Sequence, residues 1–300
     1  MTPLKIFIPL DGSKLAEASL SYLSALRGLG EVHPMLFSVV DELEQIATLD
    51  VQESMRREHN LLSTYLTEVA TEIEKHLGLK CETLLSYGKP AEQVINAVED
   101  FKADLVLITT HGRTGANRWR LGSIADKVIR GVHCNVMVLG PKAAQTAEWF
   151  AEVTEPFKNI LLPLDGSDLA EDAIPVAQRY ADRFGSTLHL VRAITVPIYG
   201  DISGDVSYPD LMDVMEQNAN HYVDAIAARP GMPTEVRRKV LTGPAAGELQ
   251  AYIEENHIDL VIMTTHGRSG FSRAAFGSVT DRLLGSDAPI LVVKPVSGAS

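Results

Sequence analysis

Cysteine is scarce in this chain: Cys81 and Cys134 are the only two in 300 residues, no CxxC pair occurs, and neither has a counterpart in the other half of the sequence. With no disulfide framework and no zinc-ligand spacing, both are expected to be partly buried apolar thiols. Positive charge is also in deficit, because 27 Lys and Arg stand against 39 Asp and Glu, for a formal net charge of -12. Duplex binding rests on Lys and Arg neutralising phosphates, so nucleic acid is not an expected partner. A local basic site for a small anion is compatible with that total. No run approaches the ~18 apolar residues of a membrane-spanning helix, and the N-terminal MTPLKIFIPLDGS lacks a charged segment followed by a long apolar core. The expectation is a soluble cytoplasmic protein with no membrane partner.

Common catalytic signatures are missing as well. Neither GxxxxGK[ST] nor GxGxxG occurs, so the P-loop and dinucleotide readings lack their glycines. HExxH, GxSxG and the protein-kinase set are absent, as are the HxGH and SGGxD patterns that an adenylyl transferase of α/β type is expected to carry. Otherwise the composition, 45% hydrophobic and 22% charged, is that of an ordinary globular protein.

What the sequence does contain is a long internal repeat. ADLVLITTHGRTGANRWRLGSIADKVI (103–129) returns as IDLVIMTTHGRSGFSRAAFGSVTDRLL (258–284), and KIFIPLDGSKLAEASL near the start returns as KNILLPLDGSDLAEDAI from 158. LVLI and LVIM read as buried parallel strands ending at a glycine-containing loop. Gly122-Ser123 and Gly277-Ser278 then open amphipathic helices, with Ile124, Val128 and Ile129 on the apolar face and Ser123 as the cap. A helix start leaves backbone N–H groups unpaired and partly positive, and glycines let phosphates approach. The unit is a candidate phosphate cradle, present twice. PLDGS closes the first strand of each half, and MLFSVV and LHLVRAI read as central strands. Long helices over roughly 52–77 and 210–228 follow; between strand and helix, 41–60 is charged and 195–210, with two Pro and two Gly, reads as a mobile loop. A third strand ends at Gly88 or Gly243, a helix opens with Pro in its first turn, and NVMVLG or PILVVK supplies a fifth strand.

Five strands alternating with four helices, twice over, predicts an α/β chain of two tandem open parallel five-stranded sheets with helices on both faces. The expected boundaries are 1–142 for the first domain, 143–157 for a linker in which Trp149 and Phe150 pack down, 158–295 for the second domain and 296–300 for a frayed tail. Ligands of such sheets bind beyond the carboxyl ends of the strands, where strand order reverses. Pro9, Leu10 and Asp11 are expected to face the glycine loop there, as are Pro163, Leu164 and Asp165.

With Gly112 and Gly267 each followed by nine residues and then Gly-Ser, the chain resembles the universal stress protein family. Nucleotide-binding members of that family carry G-x2-G-x9-G-[ST] at the end of strand four. Gly112, Gly122 and Ser123 match it, as do Gly267, Gly277 and Ser278, while Thr109 and Thr264 replace the first glycine. The resemblance covers nearly the whole chain and implies an adenine-nucleotide alpha-hydrolase-like fold. It further implies ATP or another adenine nucleotide as ligand, with Asp11 and Asp165 beside the adenosine and Val39 and Ala193 near the adenine. Gly115, Ile124, Gly270 and Val279 fall in or beside the motif. Arg113, Arg118, Arg268 and Arg273 are candidates to reach phosphate, with a solvated surface as their alternative. Purely structural roles compete with ligand contact at the remaining positions. They are an Asx turn for each Asp, a plain helix cap for Ser123 and Ser278, a fixed structural tautomer for His111 and His266, and first-turn dipole partners in Asp126 and Asp281.

No carboxylate or lysine in the motif is placed to hold Mg²⁺ and orient water, so hydrolysis is expected to be slow at most, any metal arriving on the nucleotide itself. The leading functional expectation is a nucleotide-dependent stress-response regulator acting through conformation or assembly on a protein partner. A nucleotide-free interaction module is the alternative. The resemblance also implies that the two fifth strands pair into an internal pseudo-dimer, with a homodimer of whole chains left open.

Overall fold

Apolar runs rich in Val, Ile and Leu form strands when both faces can be covered, and the helices between them supply the cover. In the computed structural model, which describes residues 2–41, 51–110, 121–146, 156–195, 208–264 and 278–295, the chain divides into two compact units, Met1–Thr154 and Glu155–Ser300. In the first unit β1 (Leu4–Pro9) leads through the short helices α1 (Lys14–Glu17) and α2 (Tyr22–Leu26) to β2 (Val32–Val40). Then α3 (Val51–Leu77), β3 (Glu82–Tyr87), α4 (Pro90–Phe101), β4 (Leu105–Thr109), α5 (Ser123–Gly131), β5 (Asn135–Leu139) and α6 (Pro141–Thr146) follow. The second unit repeats this plan with β6 (Asn159–Pro163), α7 (Asp168–Glu171), α8 (Ile174–Phe184), β7 (Thr187–Ile194) and α9 (Tyr208–Ala227). It closes with β8 (Val236–Thr242), α10 (Ala245–Glu255), β9 (Leu260–Thr264), α11 (Ser278–Leu283) and β10 (Ile290–Val293).

Strand order is β3-β2-β1-β4-β5 in the first unit and β8-β7-β6-β9-β10 in the second, with the strands of each unit paired in parallel. All five residues of β4 are buried, as a central strand covered on both faces requires. The parallel α/β expectation is therefore met in both units.

The ladder between β1 and β4 is short: only Ile6↔Leu105 and Phe7↔Val106 pair, whereas β1 and β2 pair from Leu4 to Pro9. The amino ends of β1 and β4 are clamped by Asp104, whose carboxylate accepts from Lys5 N at 2.8 Å while its own N–H donates to Lys5 O at 2.9 Å. Beyond Phe7 and Val106 no ladder joins the two strands, and this is the point where strand order reverses. β6 and β9 repeat the arrangement, with Asp259 accepting from the Lys158 and Asn159 amides at 2.7 and 3.2 Å.

Several expectations are refined. Pro90 stands in the first turn of α4, but Pro244, one position earlier in its unit, is the N-cap of α10 and lies just outside it. The expected linker begins inside α6, which runs to Thr146. Residues 42–50, 196–207 and 296–300, together with Trp149 and Phe150, lie outside the described residues. Neither cysteine is in a disulfide and both are half-buried, and burial pushes the Cys81 thiol up to about 12. Among the described residues no helix is long and apolar enough to cross a membrane; α3, the longest, has a largely exposed outer face.

One core pair differs between the units. Met35 and Ala97 of the first correspond to His189 and Tyr252 of the second, where His189 is 0% exposed and its Nδ1 lies 2.9 Å from the Tyr252 hydroxyl. The Nε2 atom is buried without a hydrogen-bond partner. Burial, and then the charge of Arg237, hold the imidazole near pKa 4, below its ordinary 6.5. Stability from this neutral ring is thus present above pH 6.5 and is lost as pH falls through about 4. Asp259 works in the opposite sense: burial raises it to about 6 from 3.8, so its contribution is full below pH 3.8 and lost as pH rises through about 6. Comparison with a His189→Met, Tyr252→Ala variant cancels the Asp259 contribution. In urea melts the wild type should lose more stability than this variant between pH 7 and pH 4.5, and parallel pH profiles would show that His189 titrates as an ordinary histidine.

Candidate functional site

The site begins where β1 runs out of ladder. Pro9 has no N–H to donate, yet Leu10 N still reaches Phe37 O at 2.8 Å, so the chain holds its course for one more residue before turning. Asp11 then makes an Asx turn, its Oδ1 accepting from Ser13 N at 3.0 Å and Ser13 Oγ at 2.6 Å. Gly12 takes φ +83°, a left-handed conformation that favours glycine. Ser13 caps α1 by accepting from Ala16 N at 3.1 Å. The second unit reproduces every step: Asp165 Oδ1 accepts from Ser167 N and Oγ at 3.0 and 2.6 Å, Gly166 has φ +86°, and Ser167 caps α7 through Ala170 N at 3.2 Å. The Asx turn, which competed with ligand contact as the role of these aspartates, is formed in both units, and it aims the carboxylate along the carboxyl edge of the sheet.

Across the crevice α5 starts at Ser123, and here the expected cap is corrected. Gly122, not Ser123, is the N-cap, and Ser123 stands exposed at the first helical position with no side-chain capping bond. Gly122 N donates to Thr110 O at 2.8 Å, and a Cβ at this position would lie 2.6 Å from that same oxygen. Only glycine lets the incoming chain lie this close to the end of β4. The expected apolar face is corrected too: Ala125, Val128 and Ile129 are buried, but Ile124 is 44% exposed. Ile124 turns away from the core because it lines the crevice. Asp126 sits in the first turn and pairs with Arg130 at 2.6 Å.

Between these two edges is a cavity of about 200 Å³ lined by Pro9, Leu10, Asp11, Val39, Gly122, Ser123 and Ile124, all of them among the expected site residues. Its walls also include residues that sequence reading did not select, chiefly Phe37, Ser38, Leu62, Val94 and Ile108. Ser38 had a visible signal, as the one polar residue in the run MLFSVV. Pro90, also on the wall, opens a helix two residues after the glycine that ends β3. Leu62 and Glu58 had none, being a long way off in sequence on α3. Thr109, at the position of the family's first glycine, and Thr110 line the cavity at the end of β4 and are 7% and 3% exposed.

The electrostatics are divided by position. Asp11, Asp41 and Glu58 place carboxylates on the cavity wall, and the amino end of α5 presents helix-terminal amides across from Asp11. Nearby, burial raises Glu17 above its ordinary value, and burial followed by the Glu17 charge raises Tyr65. Among the described residues no group of three or more His, Cys, Asp or Glu side chains is arranged to hold a metal ion.

In the second unit Pro163, Leu164, Asp165 and Ala193 occupy the corresponding carboxyl ends of β6 and β7, and Ser278 and Val279 open α11. Thr264, 5% exposed, ends β9 as Thr109 ends β4. Gly112, Arg113, Gly115, Arg118, Gly267, Arg268, Gly270, Arg273 and Gly277, with His111 and His266, lie outside the described residues.

A model of the universal stress protein family matches residues 4–140 and 156–294. The chain is 30% identical over 138 residues to a universal stress protein of Methanocaldococcus jannaschii, covering 45% of this chain and 81% of that one. It is 24% identical over 258 residues to a universal stress protein of Mycobacterium tuberculosis, covering 81% of this chain and 78% of that one. A solved universal stress protein from Archaeoglobus fulgidus aligns with a TM-score of 0.68 at 20% identity, over 98% of this chain and 97% of that chain, a likeness of fold.

The local geometry separates three substitutions by chemical denaturation. Ser13→Ala removes a cap and should cost about 1 kcal/mol. Ser123→Ala removes no capping bond and should stay within about 0.5 kcal/mol of wild type. Gly122→Ala drives a methyl into Thr110 O and should be the most damaging; a harmless Gly122→Ala would disprove the close approach.

Proposed function

The chain belongs to the universal stress protein family, and from that premise we propose that it is an ATP-binding member, a nucleotide-dependent regulator of a stress response. The observation that carries this reading is the cavity between Asp11 and the start of α5, at the strand-order reversal of the first unit. Phosphate is read against the amino end of α5, where Ser123 adds a hydroxyl, and Asp11 accepts from ribose hydroxyls. Val39, Phe37 and Ile108 give the adenine an apolar bed. The glycine loop, with Gly112, Gly115, Arg113 and Arg118, completes the phosphate site on this reading, and the second unit's Asp165, Ala193, Gly267, Gly270, Arg268, Arg273, Gly277, Ser278 and Val279 are its counterparts. Energetically the site suffices: micromolar affinity needs about 8 kcal/mol, within reach of three or four charge-assisted bonds at ~1.5–3 kcal/mol each plus a buried base.

Bound nucleotide acts by setting conformation or assembly, with slow hydrolysis at most and Mg²⁺ carried on the phosphates. We place the domains at 1–142 and 158–295, joined by 143–157, with 296–300 as a tail. They associate as an internal pseudo-dimer through their fifth strands, in a cytoplasmic protein that signals to a protein partner. Thr109 favours a second reading, a nucleotide-free interaction module, because its Cβ narrows the crevice where the family has glycine.

Calorimetric titration of nucleotide-stripped protein with ATP decides between them. Wild type should bind saturably, and Ile124→Glu, which puts a carboxylate beside the phosphates from an already exposed position, should weaken binding by ~10-fold or more. A folded wild type that gives no heat up to about millimolar ATP leaves the interaction module standing and the nucleotide reading overturned.

A further inference from the structure

The two crevices are not chemically equal. By strand register Pro9 pairs with Phe37 and Pro163 with Val191, so Ser38 of β2 corresponds to Arg192 of β7. Ser38 is buried, lines the cavity and donates its hydroxyl proton across to Leu10 O, just beyond β1, at 2.8 Å. It adds no bulk to the crevice. Arg192 extends instead over the strand-one loop: its guanidinium carbon lies 4.7 Å from the centre of the Tyr222 ring. The ring is itself fixed, the Tyr222 hydroxyl donating to Glu171 Oε1 at 3.0 Å while Arg229 holds Glu171 Oε2 at 2.7 Å.

The same backbone therefore borders different surroundings. Gly12 and Gly166 share nearly the same φ, +83° and +86°, yet a Cβ at Gly12 would meet nothing within 4 Å, whereas one at Gly166 would lie 3.1 Å from Arg192 Nη2. What is open space beside the first loop is guanidinium beside the second. Filling it with a planar cation stacked on tyrosine is favourable in a half-buried site.

We infer that Arg192 fills the second unit's crevice, so that this chain takes one adenine nucleotide, in the first unit alone. The inference rests on the nucleotide reading above and adds to it which site works and which residue decides. Arg192 is a specificity-determining residue whose side chain occupies space beside Asp165 that a ligand would need.

Stoichiometry tests it. Equilibrium dialysis with ATP on the full-length protein should give one nucleotide per chain for wild type and two for Arg192→Ser, which installs the first unit's residue. The reciprocal Ser38→Arg should abolish the single site, with circular dichroism confirming that both variants fold. Two nucleotides per wild-type chain, or loss of a site in Arg192→Ser, overturns the inference, the latter by making Arg192 a phosphate contact, and both leave the nucleotide reading intact. Binding by neither wild type nor Arg192→Ser overturns the nucleotide reading and this inference with it.

Discussion

The short ladder between the first and fourth strands of each unit is the constraint on which the site depends. Two residue pairs join β1 to β4, and an aspartate clamps their amino ends through backbone amides. Parallel strands held at one end and unladdered at the other leave a wedge of space at the reversal of strand order. A fully zipped β1–β4 pair would close that space. Asp104 and Asp259 thus do structural duty at the amino ends of the strands, opposite the carboxyl edge.

The two facing edges of the wedge are built from devices for ending a secondary structure. Proline stops the β1 ladder, the Asx turn redirects the chain into a capped helix, and Gly122 brings the start of α5 against the end of β4. Each device satisfies backbone groups that would otherwise be stranded at an element's end. The same residues consequently have two roles, and the turn formed by Asp11 is what aims its carboxylate. Ending an element and lining the cavity are successive consequences of one geometry here.

Duplication gives the chain two copies of this arrangement and freedom to change one. Two differences stand out: Met35 and Ala97 against His189 and Tyr252 in the core, and Ser38 against Arg192 at the end of the second strand. In each case the second unit's polar or charged group meets a tyrosine on a neighbouring helix. Buried polar groups are costly unless satisfied, which is why His189 comes with Tyr252.

The amino-acid sequence by itself determined the class of fold. Apolar runs of strand length alternating with amphipathic stretches admit few solutions other than a covered parallel sheet, and repeating the pattern doubles it. Local turn and glycine signatures also marked Pro9, Leu10, Asp11, Gly122 and Ser123, whereas Val39 entered the candidate cluster through the family resemblance and Ile124 by its place beside the motif. Tertiary structure alone decided what each residue does there. That Gly122 caps α5 follows from the position of Thr110 O, and that Ile124 faces the crevice follows from where the wedge opens. Ser38 and Arg192 were visible as a lone hydroxyl and a lone charge in apolar strands, but one is directed by the Leu10 carbonyl beyond the neighbouring strand and the other by a tyrosine on a helix further along the chain. Periodicity fixes which residues share a face; only the packing of that face against another fixes whether it meets core, solvent or ligand.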